Sequence, residues 1–514
     1  MDSARQESLP PFATAVVSIA LFLFSALVGQ IVARDVRVGL LISSLGLTVL
    51  MAAWAFSATR KHLCAVLMLL VLGLGFFHAP FTETNSVFWA QDLLVLFLLA
   101  VMILRGGAPS RVDSKPVLVL LALMAALTLQ TTLLHESLVM FINGFRRIAV
   151  APLMFVLGQY LVHERSGRTV YRTLVIALLL QLPASLAVNV AYQGSVSGPV
   201  EADYLTGTFG QGGSGFLAVF ISAVLCIVVW QFANRRTSLW VLALSALCFL
   251  LLGALSDIKF LWILLPMGLS VAMFMLLVQR DMGTAKPKRL LVGALALAVV
   301  APALFFVIQT SSERYHGGAL GLTSFFDPEF LKEALYVENG GVYEADDGGL
   351  SFTRYGALVH AWDLLSKDGG AALLAGYGLG STTEGPLGTT NLARRVGIGQ
   401  MDASALSTLM FESGVIGTAL YITPFVILMS LAFLTVQRRS RPDGDAEVLG
   451  GLVVLYGFCV LLSFGYNNYP IVPRGGGIFW LMAGLWVAAK KSAGFEAVGV
   501  PSPKFAAGHE VLDG

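Results

Sequence analysis

The sequence predicts an all-α polytopic membrane protein of about 14 transmembrane helices (12–14), with one large, partly helical loop. Three observations predict it. Only 12% of the 514 residues are charged, against roughly 25% in soluble domains, and the mean hydropathy is +0.78. Apolar stretches long enough to cross a bilayer core of roughly 30 Å recur from end to end. A polar, Gly-rich stretch from Thr310 to Asp402 interrupts them.

The spans are expected at 12–33, 38–58, 62–80, 87–104, 117–134, 146–162, 172–191, 213–233, 239–255, 260–279, 290–309, 405–436, 447–465 and 476–489. The first follows a short segment with one Arg and no small-residue cleavage site, so it reads as a spanning helix and not as a removed leader. The span at 146–162 carries Arg146 and Arg147 in its expected first turn. The segment 405–436 exceeds what a membrane needs, so its first turns should project outside. No pair of broken apolar segments marks an inverted repeat. Cys64, Cys226, Cys248 and Cys459 all lie inside apolar runs, where a thiol is a small buried apolar group. No Cys/His spacing for a metal occurs, and no cofactor is expected.

Charge sets the orientation. With the N-terminus inside, 21 of the 33 basic residues fall in cytoplasmic segments and six in the long loop. That is the positive-inside pattern. It divides the chain into a cytoplasmic N-terminus (1–11), transmembrane helices 1–11 (12–309), a large periplasmic loop (310–403), transmembrane helices 12–14 (404–489) and a cytoplasmic tail (490–514) whose composition marks it as disordered. The basic clusters are topology signals and give no ground for nucleic-acid binding. The largest polar element therefore faces a compartment without nucleotide sugars. The cytoplasmic connections are too short for a nucleotide-binding domain. An enzyme of this design needs a lipid-linked substrate.

Within the loop, Asp327-Pro328-Glu329 is a helix start, with N-cap, N1 proline and an acid at the positive end. A second helix is expected from Phe352 to Lys367, ended by Gly369-Gly370. Tyr355, Leu358, Val359, Trp362 and Leu365 share one apolar face, with Arg354 at its edge and His360, Asp363 and Lys367 opposite. Arg354 is either a snorkelling or carboxylate-paired residue, or a guanidinium aimed at a phosphate. Glu338 to Gly349 reads as a solvated acidic turn without calcium-loop spacing. Gly376-Tyr377-Gly378-Leu379-Gly380 permits a tight turn near a ligand or a membrane helix. Arg394 and Arg395 are solvated by default. Asp402 is a helix cap before Ser404 or a base.

Cations also gather at the outer ends of the spans. They are Arg146 and Arg147, Lys259 beside Asp257 in a tight hairpin, and Arg474 in Pro473-Arg474-Gly475-Gly476-Gly477. Interfacial snorkelling explains such residues equally well. Glu412 enters the long span just before Gly414 and Gly417, glycines that let helices approach closely. The outward loop 193–215 is rich in glycine and aromatics, a composition compatible with sugar binding. The outer rim thus holds Arg146, Arg147, Lys259, Arg354, Arg394, Arg395 and Arg474, a set suited to a lipid pyrophosphate without any metal.

Gly207-Thr208-Phe209-Gly210 before a span, the turn Ser256-Asp257-Ile258-Lys259, Arg354 followed by Trp362 and the Gly376–Gly380 run, and Leu406 to Leu409 with Glu412, Gly414, Val415, Ile416 and Gly417 together resemble the O-antigen ligase/polymerase superfamily over roughly 140–436. The resemblance implies a GT-C-like fold and a metal-independent, undecaprenyl-pyrophosphate-dependent glycosyltransferase of the bacterial inner membrane. It implies that Arg354, then Arg146 or Arg147, then Lys259 hold the pyrophosphate. Its partners would be the lipid-linked oligosaccharide, membrane lipids, and a flippase and chain-length regulator of the same pathway. Ligase-type members carry a His where this chain has Ala403, which favours a Wzy-type polymerase, with Asp402 as the base. An O-antigen-ligase-type transferase to lipid or protein is the alternative. A polysaccharide transporter or flippase is the third reading and would need mid-span charges.

Overall fold

A computed structural model describes residues 58–73, 86–104, 138–193, 206–209, 213–256, 260–279, 342–344, 350–352, 354–382, 384–385, 388–389, 392, 403–438 and 444–497, with isolated positions between 119 and 129. The expected spans at 12–33 and 290–309, nearly all of that at 38–58, most of that at 117–134, and the helix start at Asp327 lie outside these residues.

The described chain is predominantly helical. Before the loop its long helices are α1 (Arg60–Gly73), α2 (Ser86–Leu104), α3 (Leu138–Leu161), α4 (Ser166–Gln193), α5 (Ser214–Ala233), α6 (Leu239–Ser256) and α7 (Leu261–Val278). After the loop come α10 (Ala405–Arg438), α11 (Asp445–Leu462) and α12 (Ile478–Ala497). Five stretches are long and apolar enough to cross a membrane: Ser166–Val190, Ser214–Ala233, Leu239–Ser256, Ala405–Gln437 and Asp445–Gly465. The protein is membrane-embedded by this measure.

Helix α5 is the centre of the bundle. Every residue from Gly215 to Gln231 is buried, as expected of a helix that is hydrophobic all round. It packs against α7, α11 and α6. Outward faces are equally apolar: Trp240, Leu244, Leu247 and Leu251 on α6, and Ile263, Met267 and Phe274 on α7, are exposed. They recur at helical spacing, which is the pattern of a lipid-facing surface. Helix α3 runs along α12, where a Cβ on Gly158 or Gly484 would overlap the facing backbone; small residues permit that approach.

The two ends of the bundle are built differently. At one end Arg236 pairs with Glu447 at 3.3 Å, and Asp445 accepts the Gly167 N–H at 2.7 Å. The other end of α5 lies roughly 30 Å away, at 1.5 Å per residue. There the chain between α11 and α12 folds into short turns, Ser463–Gly465, Tyr469–Ile471 and a π turn at Pro473–Gly477. The loop elements gather at this end too. They comprise an antiparallel pair β1 (Val342–Glu344) and β2 (Leu350–Phe352), helices α8 (Arg354–Lys367) and α9 (Gly370–Ala375), and a second short pair β3 (Glu384–Gly385) and β4 (Gly388–Thr389). The described part of the acidic turn expected at 338–349, Val342–Glu344, is therefore a strand.

Two expectations are corrected. Helix α3 begins at Leu138, so Arg146 and Arg147 stand in its third turn and not its first. The apolar Phe141-Ile142 run simply continues the helix, and Gly144 is tolerated because it meets another backbone. Helix α8 is also rotated from the expected face. It buries Gly356, Ala357, Ala361 and Leu365, while Tyr355 and Trp362 are about half exposed, at 50% and 52%. The small side chains let α8 lie close to Met410 and Phe411 of α10, forming a separate small core with Tyr377 and Leu392.

Candidate functional site

The site is built around a break in α10. Gly414 has φ 62° and ψ −168° inside the helix, a conformation open to glycine at little cost. The Gly-rich turn after α9 bonds to the carbonyls just before the break: the Tyr377 N–H donates to Phe411 at 2.8 Å and the Gly378 N–H to Glu412 at 3.0 Å. Gly376 is left-handed as well (φ 74°), and a Cβ on it would meet Gly414 N at 2.6 Å. The turn expected near a ligand or a membrane helix thus clasps the membrane helix itself, and Gly414 serves a helix break more than a helix–helix crossing.

The same turn lies on α3, where a Cβ on Gly144 would overlap Gly380. One helical turn later on that helix comes Arg147. Its Nη2 donates to Thr382 Oγ1 at 2.6 Å and pairs with Glu412, whose Oε1 also accepts the Thr382 hydroxyl at 2.6 Å. The Glu412 side chain is 0% exposed and that of Arg147 11%. Glu412 Oε2 has no hydrogen-bond partner among the described residues.

Arg146 points elsewhere, since adjacent helical residues diverge by about 100°. Its Nη1 lies 3.3 Å from Asp92 Oδ2 of α2. Arg474, in the π turn, donates to the Phe209 carbonyl and lies 4.4 Å over the Phe216 ring. It is also within electrostatic reach of Asp92. Arg354 is the first residue of α8. Its guanidinium sits 4.2 Å over the Tyr466 ring, which stacks on Phe260 at 3.8 Å. Tyr466 belongs to the same connection as Arg474. That connection is fastened to the start of α10, where Ala405 N–H donates to Asn467 at 3.0 Å and the Thr408 hydroxyl to Asn468 Oδ1 at 3.1 Å.

The structure therefore brings Arg146, Arg147, Arg354, Glu412 and Arg474 to one end of the bundle. Lys259, Arg394, Arg395 and Asp402 lie outside the described residues. His360, placed on the far face by helical counting, is half-buried with its ring against Phe411, 6.5 Å between centroids. Burial holds its imidazole below the ordinary value of 6.5, while Asp363 pulls the other way. Phe209, in the Gly-rich segment before α5, is fully buried against Phe220 and Tyr469 and offers no open aromatic face.

Asp92, Thr382 and Tyr466 were not among the expected site residues. Only Asp92 carried a sequence signal: Gln91-Asp92 is a polar pair in an otherwise apolar run. No group of His, Cys, Asp and Glu suited to a metal ion occurs among the described residues. Compared with known proteins, the chain matches no family model and no curated protein.

Proposed function

We propose that the chain is a metal-independent glycosyltransferase that polymerises undecaprenyl-pyrophosphate-linked oligosaccharide repeat units at the periplasmic face of the bacterial inner membrane. The observation that carries this reading is the charge at one end of the bundle. Arg146, Arg147 and Arg474 are partly buried there, with the carboxylates of Asp92 and Glu412 beside them. Guanidiniums gathered in a partly desolvated site suit an anionic ligand such as a pyrophosphate.

Arg354 adds to this. A cation at the first residue of a helix opposes the dipole, and α8 has no acid in its first turn. Stacking on Tyr466 returns about 0.5–1 kcal/mol at an exposed site. The helix N–H groups and the guanidinium would both favour one anion there.

In the proposed reaction an acceptor hydroxyl oxygen forms a bond to the anomeric carbon of the donor. The bond from that carbon to the pyrophosphate oxygen breaks, and its electron pair leaves with the pyrophosphate. Arginines neutralise the charge that develops on this leaving group. Glu412 is locked to Arg147 and Thr382, so its role is to orient Arg147. Asp402 is assigned the hydroxyl proton. Replacing Arg354 with Ala tests the reading in cells. A polymerase variant accumulates single repeat units, whereas loss of a ligase leaves long unattached polymer; wild-type chain lengths would contradict both.

A further inference from the structure

We infer that Gln181 is a positioning residue of the anion site: through the three-residue turn Gly207–Phe209 it sets where the Arg474 guanidinium stands. This rests on the reading of that end of the bundle as a site for a pyrophosphate.

Gln181 lies in α4 within the apolar run Leu178-Leu179-Leu180-Gln181-Leu182 and is 1% exposed. A carboxamide buried there is costly unless its donor and its acceptor are both paired. Both meet Thr208. The Thr208 N–H donates to Gln181 Oε1 at 2.8 Å, and Gln181 Nε2 donates to Thr208 Oγ1 at 2.8 Å. Nε2 also donates to the Ala177 carbonyl at 3.2 Å, which holds the side chain along its own helix. The Thr208 hydroxyl in turn donates to the Leu72 carbonyl in the last turn of α1 at 2.5 Å. Gly207 is shaped to the same contact. Its φ is 62°, and a Cβ on it would come within 2.3 Å of Gln181 Oε1, so only glycine meets both demands.

The next residue carries the turn to the site. The Phe209 ring is buried against Phe220 and Tyr469, and its carbonyl accepts a hydrogen bond from Arg474 Nη1. The same guanidinium lies 4.4 Å over the Phe216 ring. A carbonyl at one edge and a ring under the face fix the plane of a guanidinium. Thr208 and Phe209 are adjacent in one turn, so a shift of the first moves the second. The glycine-rich segment before α5 thus serves the site through its backbone.

The probe is inorganic pyrophosphate, titrated calorimetrically into the purified full chain in nanodiscs, with the thermal unfolding midpoint followed alongside. Gln181→Met keeps the length and removes both bonds to Thr208; it should weaken binding about tenfold, the scale of one misplaced charge-assisted contact. Arg474→Ala should weaken it at least as much. The double variant separates positioning from bracing. If Gln181 acts through Arg474, Gln181→Met/Arg474→Ala binds no more weakly than Arg474→Ala, because the contact it positions is already gone. A residue that only braces the fold lowers affinity by the same factor in either background.

Should Gln181→Met fail to fold, Thr208→Val removes the hydroxyl at nearly the same shape and carries the same cycle with Arg474→Ala. Thr208→Ser keeps the hydroxyl and should bind within about twofold of wild type. Wild-type affinity in the Gln181→Met, Thr208→Val or Arg474→Ala variant, losses that multiply in the double variant, or no rescue by Thr208→Ser overturns the inference alone. A wild-type protein that does not bind pyrophosphate overturns the reading of the site and the inference with it.

Discussion

Arg354 and Glu412 show how differently two charged side chains are used within one site. Arg354 is exposed and held by a ring face, so its loss should cost activity and little stability. Arg354→Lys keeps the charge but not the planar fork that suits a pyrophosphate; it should retain a small fraction of polymer output, and Arg354→Ala none, as read on gels of extracted polysaccharide. Glu412 is the reverse case. Its removal leaves Arg147 and Thr382 facing an empty buried position. Glu412→Ala should therefore destabilise the protein by about 3–5 kcal/mol, visible as a lower unfolding midpoint in detergent. A midpoint equal to wild type would show that the pair is not buried as described. At this scale the sequence was only partly legible. It exposed each cation by its place at a span end. It could not pair them, because Asp92 with Arg146 and Arg147 with Glu412 are contacts between distant segments.

At the scale of elements, the break in α10 and the Gly-rich turn form one unit. Each glycine was visible in the sequence, but a left-handed residue inside a helix is stable only with its partner present. Gly414→Ala would strain a φ of 62° and press a methyl against the Leu374 backbone, where a Cβ comes to 2.5 Å of its carbonyl carbon. A cost of about 1–2 kcal/mol follows from the backbone alone. The turn should detach, and limited proteolysis between α8 and α10 should become faster than in wild type; unchanged protection would argue against the clasp.

The α8 face was misjudged for a related reason. Counting apolar size favoured Tyr355 and Trp362 as the buried side, whereas close packing on α10 selected Gly356, Ala357 and Ala361. His360 came with that face. Its imidazole is held below the ordinary 6.5, so the unfolded chain takes up a proton more readily than the folded one. The stability it contributes is fully present above pH 6.5 and is lost as the pH falls below it. His360→Asn should flatten that part of the pH dependence of the unfolding midpoint; an unaltered slope would place the titration elsewhere.

For the whole molecule, hydropathy and length carried the fold class because both are local properties. Among the described residues the helices fall close to where apolar runs predict them, except that α3 starts eight residues early. Sidedness is the next claim at this scale, resting on the positive-inside distribution of basic residues. The four native cysteines are buried, so introduced ones report cleanly. Ser366→Cys on α8 and Ser238→Cys before α6 are both at exposed positions. A membrane-impermeant maleimide should label the first in intact cells and the second only after permeabilisation. The opposite result would invert the molecule and remove the case for a periplasmic, lipid-linked substrate.

The most direct test of the central claim is incubation of the purified protein with an undecaprenyl-pyrophosphate-linked repeat unit, without added metal, and with product length read on a gel. The account predicts a ladder of lengthening chains from the wild type and unreacted single units from Arg354→Ala. Single units left unreacted by the wild type, or one transfer to another acceptor without a ladder, would contradict it.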